Sequence, residues 1–242
     1  MRILGKIAFV WFALVFAGVF LIFYPFFLIF LSHQSLYPVA NFLRKVWAWL
    51  IMLLCVCVPF YVREGKKVNG PCVFVCNHTS YLDIVALGLI FPLKVSFMGK
   101  MELGKIPLFG IFFRTVDIGV NRKSIRDSHR AFLLASEKIR HGYSIGIFPE
   151  GTIWEHTPRL KPFKNGAFRL AIENKIPIVP VTFYNNFRIL PDEKYEYYPY
   201  ILKFKIHRAI PTAHLNTDDS DRLKDEIYAL IENELKSKKI IT

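Results

Sequence analysis

Residues 7–43 contain no Asp, Glu, Lys or Arg, and between 7 and 31 only Gly18 and Pro25 fall outside the apolar set. A run of that length is enough to cross a hydrocarbon core, which needs roughly 20 residues, and it ties the chain to a bilayer. A second stretch, 46–62, is charge-free over 17 residues, with Pro59 near its end. That is the short limit for spanning, and Pro25 can divide the first run. Arg2 and Lys6 would make the basic region of a signal peptide, but the apolar core is too long and no small-x-small cleavage site follows it. Two arrangements fit: two spans with both ends cytoplasmic, or a hairpin dipping into one leaflet. Either leaves residue 63 onward on the side of the N-terminus. Arg63, Lys66 and Lys67, just past the second run, suit the cytoplasmic face, which is the inner membrane's if the source is bacterial.

The rest of the composition pulls the other way. Of 242 residues 53% are apolar, yet Lys and Arg exceed Asp and Glu by 32 to 19, a net charge of +13. Such hydrophobicity excludes a disordered basic tail, and such charge excludes a bundle of membrane helices with nothing outside it. The two properties separate along the chain. Residues 1–62 hold four basic residues and no acid, residues 63–212 hold 23 basic and 12 acidic, and residues 213–242 hold 5 and 7. The expected organisation is therefore membrane-associated helices over 1–62 and a catalytic domain over 63–242.

Beyond residue 62, short apolar runs bounded by Gly, Pro and Asn alternate with helical patterns. Strands are expected at 72–76, 94–98, 115–120, 144–148, 176–183 and 202–207, and helices at 81–89, 124–140, 166–174 and 221–236. This alternation predicts an α/β domain with a largely parallel sheet. Cys72 and Cys76 lie four apart in the first of these strands. With His78 they do not match the spacing of a zinc site, so they read as small buried side chains and no metal is expected.

The first strand runs into Asn77-His78-Thr79-Ser80-Tyr81-Leu82-Asp83. Its position puts His78 at the edge of the sheet where α/β proteins bind ligands. Asp83, in the first helical turn, can accept the imidazole N–H and leave the other nitrogen as a general base. Ser80-x-x-Asp83 also reads as a variant capping box. His214 and Asp219 repeat the spacing in a polar stretch with no strand before it, and they read as chance. The strand at 144–148 ends in Phe148-Pro149-Glu150-Gly151-Thr152, another ends at Asn121-Arg122, and a further one carries Ile178-Val179-Pro180-Val181.

Taken in chain order, the four motifs His78-x4-Asp83, the strand ending at Arg122, Phe148 to Thr152 and Ile178 to Val181 resemble the glycerolipid acyltransferases, and most nearly their 1-acyl-sn-glycerol-3-phosphate acyltransferase branch; the likeness covers about residues 63–210. It implies a mostly parallel sheet wrapped by helices behind a two-helix membrane motif. It also implies transfer of an acyl chain from acyl-CoA or acyl carrier protein, as co-substrate and without a cofactor, to a lipid hydroxyl. His78 would be the base and Asp83 its orienting partner. Glu150, Gly151 and Thr152 would position the acceptor, Arg122 would meet its phosphate, and Lys100 and Lys164 match further positions near the acceptor. One position departs from the pattern: Ile153 stands where the family commonly has an arginine, with Arg159, Lys161 and Lys164 close behind it. A guanidinium fork is not replaced by an alkyl group.

The chemistry agrees with that resemblance. A thioester is already activated, so a positioned base and an electrostatic site for the oxyanion suffice, and no Gly-x-Ser-x-Gly nucleophile elbow is present. The expected partners are a lipid acceptor, acyl-CoA or acyl carrier protein and the bilayer, rather than nucleic acid. All are anionic, which a basic middle segment favours. Rival readings keep the chemistry but change the acceptor to glycerol 3-phosphate, a lysophospholipid or a hydroxyacylated aminolipid. Others substitute water, giving a thioester hydrolase, or dispense with catalysis, leaving a lipid-binding membrane protein.

Overall fold

The structure, a computed structural model, describes residues 2–192 and 194–241. Helix α1 (Arg2–Phe30) passes through Pro25 without interruption, and α2 (Tyr37–Leu54) returns against it. Seven strands follow: β1 (Val58–Arg63), β2 (Val73–Cys76), β3 (Val95–Lys100), β4 (Ile118–Val120), β5 (Ser144–Ile147), β6 (Ile178–Phe183) and β7 (Ile201–Ile206). Interleaved with them are α3 (Leu82–Ile90), α4 (Ile111–Arg114), α5 (Ile125–Arg140), α6 (Gly166–Glu173) and α7 (Asn186–Ile189), and α8 (Ser220–Ser237) ends the fold. The strand order is β1-β7-β6-β2-β5-β3-β4. Every neighbouring pair is parallel except β6 with β7, so β1 and β7 run opposite to the other five.

Strand periodicity splits the core into two layers. On β2, Val73 and Val75 face the cluster built with α5, α6 and α8, whereas Phe74 and Cys76 face the one built with α1, α2 and α3. Both faces of this strand are covered, which is why it reads as a continuous apolar run. Helix α5 is capped where its sequence indicates: Ser124 Oγ accepts the Asp127 N–H at 3.1 Å, and Lys138 and Arg140 occupy the last turn. Cys72 and Cys76 are buried apolar fillers. Burial pushes the Cys72 thiol up to about 11 and that of Cys76 well above its ordinary value, which disfavours the thiolate a metal would need.

The second apolar stretch, 46–62, is not a single helix. Helix α2 begins nine residues earlier and ends at Leu54, the chain turns at Val56, and 58–63 become the edge strand β1, parallel to β7. Residue 62 thus lies within a strand of the catalytic sheet. The charge-free criterion missed the start of α2 because its two cations are turned into the globular body. Arg44 makes a bidentate pair with Asp117 at 3.1 and 2.9 Å, and Lys45 Nζ donates to the Phe91 carbonyl at 2.9 Å.

Helix α1 lies along the body rather than projecting from it. Near its start the Gly5 carbonyl accepts the Tyr197 N–H at 3.0 Å and Phe12 stacks on Tyr197. Near its end Phe27 packs edge-on against Phe112. Among the described residues α1 alone is long and apolar enough to cross a membrane. Its outer face exposes Leu14, Leu21, Ile22 and Ile29, and Trp49 and Leu53 of α2 are exposed as well.

Candidate functional site

Because β2, β3, β4, β5 and β6 share a direction, their C-terminal ends line one edge of the sheet, and the residues singled out from sequence follow those ends. His78 follows β2, Lys100 closes β3, Arg122 follows β4, and Glu150 to Thr152 follow β5. Asn77 anchors the turn after β2. Its amide donates to the Phe183 carbonyl at 3.0 Å and its oxygen accepts the Phe183 N–H at 2.7 Å, clamping β2 to the end of β6.

His78 Nδ1 lies 3.0 Å from Asp83 Oδ2. The carboxylate is fully buried. The same oxygen accepts the backbone N–H groups of Thr79 and Ser80, at 2.6 and 2.9 Å, and Oδ1 accepts from the Asn186 amide at 2.6 Å. Four donors therefore fix one carboxylate, which in turn fixes the imidazole. Of the capping box only the return bond from the Ser80 N–H to Asp83 forms: Ser80 Oγ accepts the Leu82 N–H at 3.1 Å, and Tyr81, at the N-cap of α3, makes no side-chain capping bond. The His78 ring stacks on Phe148 at 4.0 Å between centroids, and Nε2 has no protein partner among the described residues. With Nδ1–H held by Asp83, Nε2 is left as an acceptor, poised to take a proton from a hydroxyl.

Glu150 is 2% exposed and stands behind this turn rather than in front of it. Oε1 accepts the His78 backbone N–H at 2.7 Å and Oε2 accepts the Lys161 N–H at 2.9 Å. Burial pushes its carboxyl up to about 7, opposed by those two N–H groups and reinforced by the charge of Asp83. Gly151 has φ +82°, a left-handed conformation that an L side chain resists. A Cβ there would sit 3.2 Å from Arg122 Nη1 and 3.6 Å from Lys164 Cε. Thr152 Oγ1 accepts from Lys161 Nζ at 3.2 Å.

Arg122, Lys164 and Gly151 border a cavity of about 290 Å³ whose other walls include Met98, Val120, Phe132 and Leu170. Arg122 Nη1 is buried there without a hydrogen-bond partner, and burial lowers the guanidinium's pKa. Lys164 is lowered too, by burial and then by the charges of Arg122 and Lys161. An unpartnered buried donor is costly, and an anion is what these two cations lack. Lys100 is exposed at the end of β3 and makes no hydrogen bond or ion pair with these groups. Ile153 is half-buried and Arg159 exposed. Asp219 accepts from the Asn216 N–H and pairs with Arg222, so it is a capping residue and not a partner of His214.

Sequence reasoning did not single out Asn186 or the stacking of Phe148. Asn186 lies 103 positions from Asp83, and only the crossover from β2 to β6 brings the two together. Phe148 lies inside its motif, and nothing local marks its ring as the platform for His78.

An imidazole fixed by a buried carboxylate, with no hydroxyl or thiol bonded to its free nitrogen among the described residues, has the geometry of a general base rather than of a nucleophile's partner. Direct transfer to a bound hydroxyl is the chemistry it suits. The chain belongs to the acyltransferase family, whose model matches residues 57–184, just over half its length. It is 32% identical over 180 residues to the human 1-acyl-sn-glycerol-3-phosphate acyltransferase beta, covering 70% of this chain and 62% of that protein. It is 30% identical over 175 residues to the chloroplastic 1-acyl-sn-glycerol-3-phosphate acyltransferase BAT2 of Brassica napus, covering 69% and 48% respectively. The chain thus spans about half to two thirds of the length of these relatives. Its fold matches the crystal structure of the 1-acyl-sn-glycerophosphate (LPA) acyltransferase PlsC from Thermotoga maritima with a TM-score of 0.80 at 21% identity, over 100% of this chain and 99% of that one.

Proposed function

We propose that the chain is a membrane-bound O-acyltransferase that moves an acyl group from acyl-CoA or acyl carrier protein to the free hydroxyl of 1-acyl-sn-glycerol 3-phosphate, giving phosphatidate. The observation that carries this reading is the His78–Asp83 pair, with Nε2 unencumbered at the sheet edge. His78 Nε2 takes the hydroxyl proton as the oxygen attacks the thioester carbonyl. The tetrahedral intermediate collapses with cleavage of the C–S bond, and the leaving thiolate recovers the proton from the imidazolium. Asp83 holds the tautomer and stabilises the imidazolium without itself being protonated. Arg122 and Lys164 would take the acceptor's phosphate, and the relatives named for this substrate support that acceptor. Ile153 favours the same chemistry on a different acceptor: glycerol 3-phosphate, a lysophospholipid or a hydroxyacylated aminolipid.

Attachment within one leaflet is the arrangement that the packing of α1 supports. A 29-residue helix is about 43 Å long, longer than the roughly 30 Å core, and both of its ends stay on the globular body. A helix this apolar, lying along the body, dips its exposed face into the acyl region of one leaflet, with the catalytic domain on the cytoplasmic face. Mass spectrometry of products from purified protein, acyl-CoA or acyl carrier protein and the acceptor panel tests the function beside His78→Ala. Phosphatidate formed by the parent and lost in the variant supports the reading. Turnover of the other acceptors but not of lysophosphatidate sinks the acceptor assignment. Fatty acid released at the same rate without any acceptor makes the protein a hydrolase.

A further inference from the structure

At the opposite edge of the sheet a second and larger cleft, about 530 Å³, opens where the α1–α2 connector meets α5 and the starts of β3 and β5. Its walls include Tyr37 at the start of α2, Lys94 before β3, Glu137 and Lys138 on α5, His141 just after it, and Tyr143 before β5. Since β2, β3 and β5 run the same way, the cleft is separated from His78 by the length of those strands, roughly 15 Å. It shares no residue with the cavity at Arg122.

Two features of this cleft call for an anion. Lys138 is half-buried, with its ammonium 5.4 Å from the Tyr37 ring centroid and 5.6 Å from that of Tyr143. Among the described residues it makes no hydrogen bond or ion pair, and burial lowers its pKa, against the pull of Asp117 and Glu137. Asp117 is already committed to Arg44. Lys94, exposed at the mouth, is likewise unpaired. The second feature is an apolar rim: Pro38 and Leu134 belong to the lining, Leu134 is exposed on α5, and Val39 is exposed beside Pro38 in sequence. The lining thus sets two cations against one exposed acid, Glu137, and the rim at Pro38 and Leu134 is apolar.

We propose that this cleft is a second lipid site, distinct from the acyl-transfer site, that takes the phosphate headgroup of an anionic membrane phospholipid between Lys94 and Lys138 while its acyl chains lie over the apolar rim. Lys138 supplies a half-buried cation held over the two tyrosine rings, with no acid bonded to it among the described residues. The volume falls within the range of small-molecule sites. The inference draws on the membrane attachment proposed above only for the supply of lipid.

Calorimetric titration of the full chain in detergent with dihexanoyl phosphatidylglycerol tests it without a bilayer, so its outcome is separate from that of the attachment. Saturable binding is expected, at least tenfold tighter than for dihexanoyl phosphatidylcholine. It should be weakened about fivefold by Lys94→Gln and further by Lys94→Gln with Lys138→Gln, and unchanged by His78→Ala. Acyl transfer measured in detergent should be the same in both lysine variants as in the parent, which shows that they fold. Equal binding by parent and Lys94→Gln, or loss of binding in Arg122→Gln, overturns the proposal. So does inorganic phosphate binding as tightly as the lipid, which would make the cleft a free-phosphate site.

Discussion

Oε1 of Glu150 lies 2.7 Å from the backbone nitrogen of His78, so the acid of the Phe-Pro-Glu-Gly-Thr motif holds the His78 turn from behind. Glu150→Ala strands the N–H groups of both His78 and Lys161, at about 1–3 kcal/mol for each buried donor. The expected result is a lower urea midpoint and a fall in kcat larger than any change in KM. Unchanged kcat with a raised KM would place Glu150 on the acceptor instead.

The same carboxyl predicts a pH dependence of stability. Its folded pKa, about 7, is raised above the ordinary 4.5, so the folded state binds the proton more tightly than the unfolded one. Its contribution is present below about pH 4.5 and is lost as pH rises toward 7, with an upper bound of about 3 kcal/mol. Urea unfolding of the parent between pH 5 and 7 should carry this downward slope, and Glu150→Gln should flatten it. Equal slopes would contradict the assignment.

His78→Ala should cost at least about 10²-fold in turnover with little loss of stability, because the ring is bonded only to Asp83 and stacked on Phe148. Asp83→Asn should cost about as much in turnover and also destabilise. An amide nitrogen cannot accept from Thr79, Ser80 and Asn186, and one of those buried donors is left unpaired. Single-turnover rates and thermal melts of the two variants separate these effects.

Local pattern carried the sequence reading as far as local pattern extends. His78, Asp83 and the turn at Gly151 follow strand ends, and strand ends are visible as β-branched runs closed by Asn, Pro and Gly. The six strands and four helices expected from sequence all occur, with ends shifted by up to three residues. Strand β1 escaped because its Val-Pro-Phe-Tyr-Val run continues the apolar α2 without a charge to divide them. The start of α2 escaped because Arg44 and Lys45 find partners in the globular body. The inward aim of Glu150 has no sequence signature, since an acid that contacts substrate and one that accepts two backbone N–H groups look alike in a motif.

Arg44 joins helix α2 to the sheet. Its guanidinium lies between the rings of Phe97 and Phe112, 4.7 Å from each centroid, while Asp117 also accepts the Phe97 N–H at 3.0 Å. Asp117→Ala leaves Arg44 without its counter-ion, though Asn41 Oδ1 still accepts from Nη1 at 3.1 Å, strands the Phe97 N–H, and should cost about 3–5 kcal/mol. Arg44→Met with Asp117→Asn removes the charge, keeps an acceptor for Phe97, and should recover most of that loss in urea denaturation. If the double variant is no better than Asp117→Ala alone, the pair contributes more than it costs to bury.

The exposed and packed faces of α1 should behave differently. Leu14 and Ile22 are 63% and 67% exposed, whereas Phe27 is 0% exposed against Phe112. Leu14→Asn with Ile22→Asn should lower partition into phosphatidylcholine vesicles by at least about tenfold and leave the melting temperature in detergent nearly unchanged. Phe27→Ala should do the reverse, costing about 3–5 kcal/mol of stability with little effect on partition. Equal effects of the two on partition would remove the case for an α1 that dips into one leaflet.

The buried donor of Arg122 and the alkyl side chain of Ile153 bear on the acceptor from opposite sides. Nη1 has no partner beside Gly151, which a phosphate oxygen would supply, while Ile153 brings no charge to the same loop. Arg122→Gln should raise the KM for lysophosphatidate by about tenfold or more, since a charged hydrogen bond is worth about 1.5–3 kcal/mol. It should leave the KM for a phosphate-free hydroxyl lipid unchanged. Gly151→Ala, strained at φ +82° and pressing on Nη1, should raise the same KM and also lower the melting temperature, at a cost of about 1–2 kcal/mol. Ile153→Arg should lower the KM for lysophosphatidate if the acceptor's phosphate lies against this loop. A KM that moves with Arg122→Gln but not with Ile153→Arg confines the phosphate to the Arg122–Lys164 side of the cavity.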